Sequence, residues 1–358
     1  ENKRSVNWLA MVITFVFLFS QVLIALFTQL GRIQFLLVAT AVGELGILLL
    51  PAVLFMRRHE GLGHFGVAPA CKHGEVLWAA LLGVGIFFLS TGINSFLQVL
   101  WDALGVPTTN VSDAIYLGGG WEILIAIFAI VLVPAVAEEF LFRGAILFSW
   151  LPGKRTSAII HTTLFFALLH CNPTALPVYC MIGIFLGNMA VLSDSIMPPI
   201  VLHGVFNLLG VLVSYAAVPA QAARAAAEPI GGSYFIFAGV LYGIIGLFIS
   251  YPSYRAFKCA VARTIAADKM AYSIRLSGQK CEGLREFALM TGVSTGTNAD
   301  LRHDDSNQND ADEKQRPVIH NPLTVSINKG TSKAPVILTY VTLILANAIM
   351  LLLPYMVE

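Results

Sequence analysis

Charge is what this sequence has least of. Charged residues make up 12% of it, against roughly a quarter in a soluble domain. A net charge of +1, with the basic residues scattered through short loops, excludes a nucleic-acid-binding face, which needs a basic patch or stripe. Cysteine is sparse as well. The five, at 71, 171, 180, 259 and 281, include no C-x-x-C pair, and an odd number in or beside apolar runs argues against a disulfide framework, so they read as packing residues. The H-E-x-x-H pair of zinc proteases is missing, and Gly231-Gly232-Ser233 has no base placed to activate its serine.

What fills the chain instead is hydrocarbon: 57% hydrophobic residues and a mean hydropathy of +0.75. A membrane-crossing helix needs about 20 largely apolar residues. Runs of that kind are read near Val6 to Leu30, Ile33 to Met56, Val76 to Leu100, Trp121 to Trp150, Ser157 to His170, Ala175 to Leu192, Met197 to Ala217, Tyr234 to Tyr251 and Val336 to Leu353. The expected fold is all-α, a polytopic transmembrane helical bundle of about eight or nine spans. Two middle runs are short, which suggests burial by neighbours or re-entrant packing. Four regions are expected: amino-terminal spans over 1–75, a membrane core over 76–254, a polar flexible cytoplasmic segment over 255–335, and a last span over 336–358. The run after Lys3 and Arg4 lacks a clear cleavage site for a signal peptide and is read as retained.

Positive charge alternates between connections. Lys3 and Arg4, then Arg57, Arg58 and Lys72, then Lys154 and Arg155, then Arg255, Lys258 and Arg263 fall on one side, with few bases on the other. By the positive-inside rule the amino terminus is cytoplasmic, and a bacterial cell membrane is the expected location.

Inside the fourth run stands Pro134-Ala135-Val136-Ala137-Glu138-Glu139-Phe140-Leu141-Phe142-Arg143-Gly144. Carboxylates in an apolar span are costly and usually functional. Arg143 follows Glu139 by four residues, so the two share a helix face, while Glu138 is rotated by about 100° and stays available. Pro134 removes a backbone donor and frees the carbonyl one turn earlier. The next run ends in Phe166-Ala167-Leu168-Leu169-His170 before Asn172-Pro173, and the proline is expected to stop the helix. His161, at the other end of that run, reads as structural. Further on, His203 and Asn207 lie four apart on one face.

Peptide hydrolysis requires a base to activate water and donors to hold the tetrahedral oxyanion. Glu138 with His170 fits the first task, and His203 with Asn207 the second. The alternative is a catalytic zinc held by Glu138, His170 and His203 with water in the fourth position; spacing does not choose between them.

The ordered set Glu138-Glu139-x-x-x-Arg143, Phe166-x-x-x-His170 and His203-x-x-x-Asn207 resembles the CPBP family, the CAAX proteases and bacteriocin-processing membrane proteins. The resemblance covers roughly Val76 to Tyr251. It implies a multi-helix membrane fold with a polar cavity open to the membrane and, for the prenyl-protein proteases, removal of a tripeptide after a lipidated cysteine. By the same resemblance Glu138 is the base, His170 its partner, His203 and Asn207 the oxyanion donors, and Glu139 with Arg143 their support. Zinc is optional, since the family's mechanism is read as a glutamate-activated water. The expected partners are the lipid bilayer and a protein or peptide substrate within it, with no nucleic acid.

Two other readings stand beside this one. A non-catalytic immunity or export-partner protein would use the same cavity for binding. A transporter would use Glu44, alone in the second run, as a midplane carboxylate, although no inverted repeat of the transporter kind is visible.

Overall fold

Without water, a backbone satisfies its N–H and C=O groups only in a helix or a closed barrel, and the apolar runs of this chain all become helices. The computed structural model describes residues 2–28, 33–59, 66–67, 73–108, 121–152, 154–224, 232–291 and 334–356. Helix α1 is Asn2–Thr28. Helix α2 runs through Ile33–Gly43, a π-helical stretch Glu44–Leu49, and Leu50–His59. Helix α3 is His73–Ala103. Helix α4 alternates α and π geometry through Glu122–Ala126, Ile127–Leu132 (π), Val133–Glu139, Phe140–Leu147 (π) and Phe148–Trp150. Then come α5 (Arg155–Leu169), a 3-10 turn at Pro173–Ala175, α6 (Leu176–Ser193), α7 (Met197–Arg224), α8 (Gly232–Thr291) and α9 (Ala334–Met356).

Among the described residues, eight helices are long and apolar enough to cross a bilayer; the shorter apolar one is α5, at 15 residues. A helix of that length rises about 22 Å, less than the roughly 30 Å of a hydrocarbon core. With Lys154 and Arg155 at its start, its other end falls short of the far face. The bundle turns large apolar side chains outward, Phe248 being 82% exposed and Phe237 67%, as a protein dissolved in lipid does.

Small residues bring the central helices together, the usual device where lipid and protein are equally apolar. A Cβ on Gly83 of α3 would stand 2.8 Å from the Leu202 carbonyl oxygen of α7, and one on Gly183 of α6 would stand 2.9 Å from Thr163 Cγ2 of α5. Leu37, Ala41, Ala126, Ala129, Val133 and Val211 join α2, α4 and α7 in one apolar cluster. Leu147, Ala158, Ile159 and Ala190 join α4, α5 and α6 in another. Helix α9 packs on α1 and α5.

Helix α8 departs from expectation. The polar stretch from Arg255 was read as flexible, yet the helix continues to Thr291. The reason is composition: residues 256–291 are rich in Ala, Lys, Arg, Leu and Met, good helix formers, and contain no proline. The remainder of that stretch, 292–333, lies outside the described residues. The chain divides into two compact units, Glu1–Lys258 with Val325–Glu358, and Cys259–Thr324. The described part of the second is the end of α8.

Candidate active site

Four consecutive helices supply the polar residues. In α4, Arg143 is fully buried and its Nη1 donates to Glu139 Oε1 at 2.8 Å. The pairing is the i,i+4 contact that the spacing foretold. The guanidinium is held from two further sides: Nη2 donates to the Gly183 carbonyl of α6 at 3.4 Å, and Cζ lies 4.6 Å from the centroid of the Phe166 ring of α5.

Glu139 has a second partner. His203 of α7 donates through Nδ1 to the same Oε1 at 3.0 Å; a carboxylate oxygen between two positive or N–H-bearing groups can only accept. This fixes the histidine tautomer with Nδ1 protonated and turns Nε2 toward Glu138, whose Oε2 is 4.0 Å away. Glu139 therefore orients and supports His203 as the carboxylate of a Ser-His-Asp triad supports its imidazole.

Glu138 occupies the opposite situation. Its side chain keeps 12% of its surface, against none for Glu139, and Oε2 has no hydrogen-bond partner among the described residues. It lies in electrostatic reach of His203, Glu44, Glu139 and Arg143. Of two adjacent glutamates, Glu139 is engaged through Oε1 by two partners, its Oε2 being unpartnered like that of Glu138, and Glu138 alone keeps exposed surface.

His170 caps the end of α5. Its Nδ1 donates to the Phe166 carbonyl at 2.7 Å, which leaves Nε2 as the ring's acceptor. The ring stacks on Tyr179 of α6 at 4.1 Å between centroids, and Phe166 lies between it and His203, 4.7 Å and 6.0 Å away. The helix stops there as the proline predicts: Cys171 adopts a left-handed φ of 48°, and Asn172 Oδ1 accepts from Ala175 N–H and from the Thr174 hydroxyl to start the next turn. The imidazole within 4.0 Å of both glutamates is that of His203.

Asn207 is held against α4. Its Nδ2 donates to the Ile130 carbonyl at 3.0 Å. Ile130 is the residue four before Pro134, so this is the carbonyl to which the proline offers no N–H. One amide hydrogen of Asn207 thus ties α7 to the π-helical stretch of α4 before Pro134, and one is left.

Two residues near the site were not assigned to it from sequence. Glu44, on the π-helical stretch of α2, is 7% exposed with Oε2 unpartnered, and its charge is felt at Glu138. Glu44 thus stands within electrostatic reach of Glu138. Tyr179 interacts electrostatically with Glu138 and hydrogen-bonds the Asn172 side chain; nothing in its apolar surroundings in α6 marks it. His161, read as structural, is occupied with Tyr340 of α9 at 3.2 Å. Among the described residues no group of three His, Cys, Asp or Glu stands close enough together to hold a metal ion.

Residues 120–209 match the family model described as Rce1-like, type II CAAX prenyl endopeptidase Rce1-like. The matched stretch spans α4 through the first turns of α7 and contains Glu138, Glu139, Arg143, His170, Tyr179, His203 and Asn207. Comparison with curated proteins and with solved structures gave no match. Within a polytopic helical membrane protein, residues 120–209 are thus similar to the type II CAAX prenyl endopeptidase Rce1-like family.

Proposed function

We propose that the chain is an intramembrane endopeptidase that cleaves membrane-associated or lipidated protein substrates with a water activated by Glu138. The observation that carries the reading is the division of labour between the adjacent glutamates: Glu139 is fully buried and bonded through Oε1 to Arg143 and His203, whereas Glu138 keeps exposed surface and its Oε2 has no hydrogen-bond partner among the described residues. A carboxylate so placed accepts a proton from water and can return it to the leaving amine. His170 Nε2 is the second acceptor that holds that water. His203, with Nδ1–H on Glu139, becomes a donor at Nε2 when protonated, and with the remaining amide hydrogen of Asn207 it supplies the oxyanion donors. The positive-inside pattern supports a cytoplasmic amino terminus in a bacterial cell membrane.

No step in this scheme passes through a metal. A chelator added to the purified protein is accordingly expected to leave its cleavage rate unchanged, and loss of activity restored by zinc would revive the ligand set Glu138, His170 and His203. Glu44→Gln is expected to lower cleavage, because it alters a group that Glu138 feels; assay on the same substrates, with full activity retained, would separate Glu44 from the site. The direct test compares new protein amino termini in membranes holding equal amounts of the wild-type chain and of Glu138→Gln. Termini seen with the wild type alone establish proteolysis and reveal the substrate. Their absence overturns the proposal in favour of a binding role.

A further inference from the structure

Helix α9 lies outside the matched residues 120–209, yet it makes two side-chain hydrogen bonds to the backbone of α5, the helix that ends in His170. Asn347 Nδ2 donates to the Leu168 carbonyl at 2.8 Å and to the Leu343 carbonyl of its own helix at 2.9 Å. Both neighbours are carbonyl oxygens, so the amide hydrogens must face them; the flipped amide would set oxygen against oxygen. The Tyr340 hydroxyl donates to the His161 carbonyl at 2.8 Å. With its one proton used there, it accepts from His161 Nδ1 at 3.2 Å. The two bonds to α5 carbonyls span the same sequence separation, 179 residues, which means that α5 and α9 run in the same direction and in step.

The position of the Asn347 bond is what matters. Leu168 lies in the last turn of α5, where helix carbonyls lack their usual donors, and in hydrocarbon no water replaces them. The Cys171 N–H folds back to the same carbonyl at 3.1 Å. His170 follows two residues later, its ring tied to Phe166 of the same turn. Helix α9 also packs against the 3-10 turn that follows His170, so it borders the catalytic corner on both sides.

We propose that Asn347, seconded by Tyr340, is a positioning residue for His170: the last span clamps the closing turn of α5 and thereby sets the imidazole for its part in holding water. This rests on the role given to His170 under the proposed function. A displacement of about 1 Å at a reacting group can cost on the order of 10²-fold in rate.

The test uses the full-length chain in lipid nanodiscs, with Asn347→Leu, which keeps size and removes the donor, Asn347→Gln, which keeps an amide, and Tyr340→Phe. Hydrogen exchange over residues 166–172 is expected to accelerate in Asn347→Leu. Its kcat is expected to fall by about 10- to 100-fold with KM unchanged, while Asn347→Gln recovers part of the rate and Tyr340→Phe shows a smaller fall. Unchanged exchange overturns the clamp. Accelerated exchange with undiminished kcat overturns its bearing on His170, as does a fall in kcat matched by loss of folded protein. A wild-type chain that cleaves nothing would refute the protease reading itself, which the exchange measurement does not depend on.

Discussion

Glu138→Gln is expected to lower cleavage by about 10²–10⁴-fold, the usual loss on removing a general base, and to leave an inserted, folded chain. The amide has the shape of the carboxyl it replaces. It breaks no ion pair at hydrogen-bond distance, because His203 Nε2 stands 4.0 Å off and Oε2 has no hydrogen-bond partner among the described residues. The neighbouring change is expected to behave differently. Glu139→Gln weakens two charge-assisted bonds at once, to Arg143 and to His203, so it should lower the amount of folded protein together with activity. Rates normalised to folded chain, measured by size exclusion in detergent, tell the two apart: a Glu138→Gln loss that vanishes on normalisation would remove the base from the mechanism.

The second large effect belongs to Arg143. Removing one partner of a buried ion pair typically costs about 3–5 kcal/mol, because the other charge is left uncompensated. Arg143→Met is expected to fall in that range, since Glu139 has no exposure at all and would keep only His203. It would also lose the link to the Gly183 carbonyl of α6 and the contact with the Phe166 ring. The double variant Glu139→Gln, Arg143→Met should regain part of the loss by removing the stranded charge. Thermal unfolding of the detergent-solubilised proteins checks both. A single variant as stable as the wild type would mean that the pair does not hold these helices together.

The sequence disclosed those features that repeat along one helix. Apolar runs of bilayer length announced the spans, because in lipid the helix is forced. The i,i+4 spacing announced the Glu139–Arg143 pair, because helix geometry alone brings those groups together. Pro173 announced where α5 ends. What depends on how helices turn toward one another was not legible. Spacing could not say that His203 rather than His170 would meet the glutamates, nor that Asn207 would be drawn to Ile130. Glu44 looked solitary because a lone acid in an apolar run carries no mark of the face it presents. The polar stretch from Arg255 differs in its described part, which is helical to Thr291. Its low hydropathy suggested a loose segment, but polarity and helix propensity are separate properties, and Ala-, Lys- and Arg-rich sequence is both polar and helical.

The bond from Asn207 to Ile130 bears on how the molecule assembles. Helices in a membrane insert first and find their neighbours afterwards, and apolar surfaces alone give little to choose between one sliding position and the next. A proline that leaves a carbonyl without its usual donor creates a point of unmet demand at one height in α4. An asparagine on α7 meets that demand at one height only, so the two helices have a notch and a key. The same key lies one turn from His203, so its engagement brings that imidazole level with Glu138 and Glu139. Mature register and a complete site would then arrive in a single docking event.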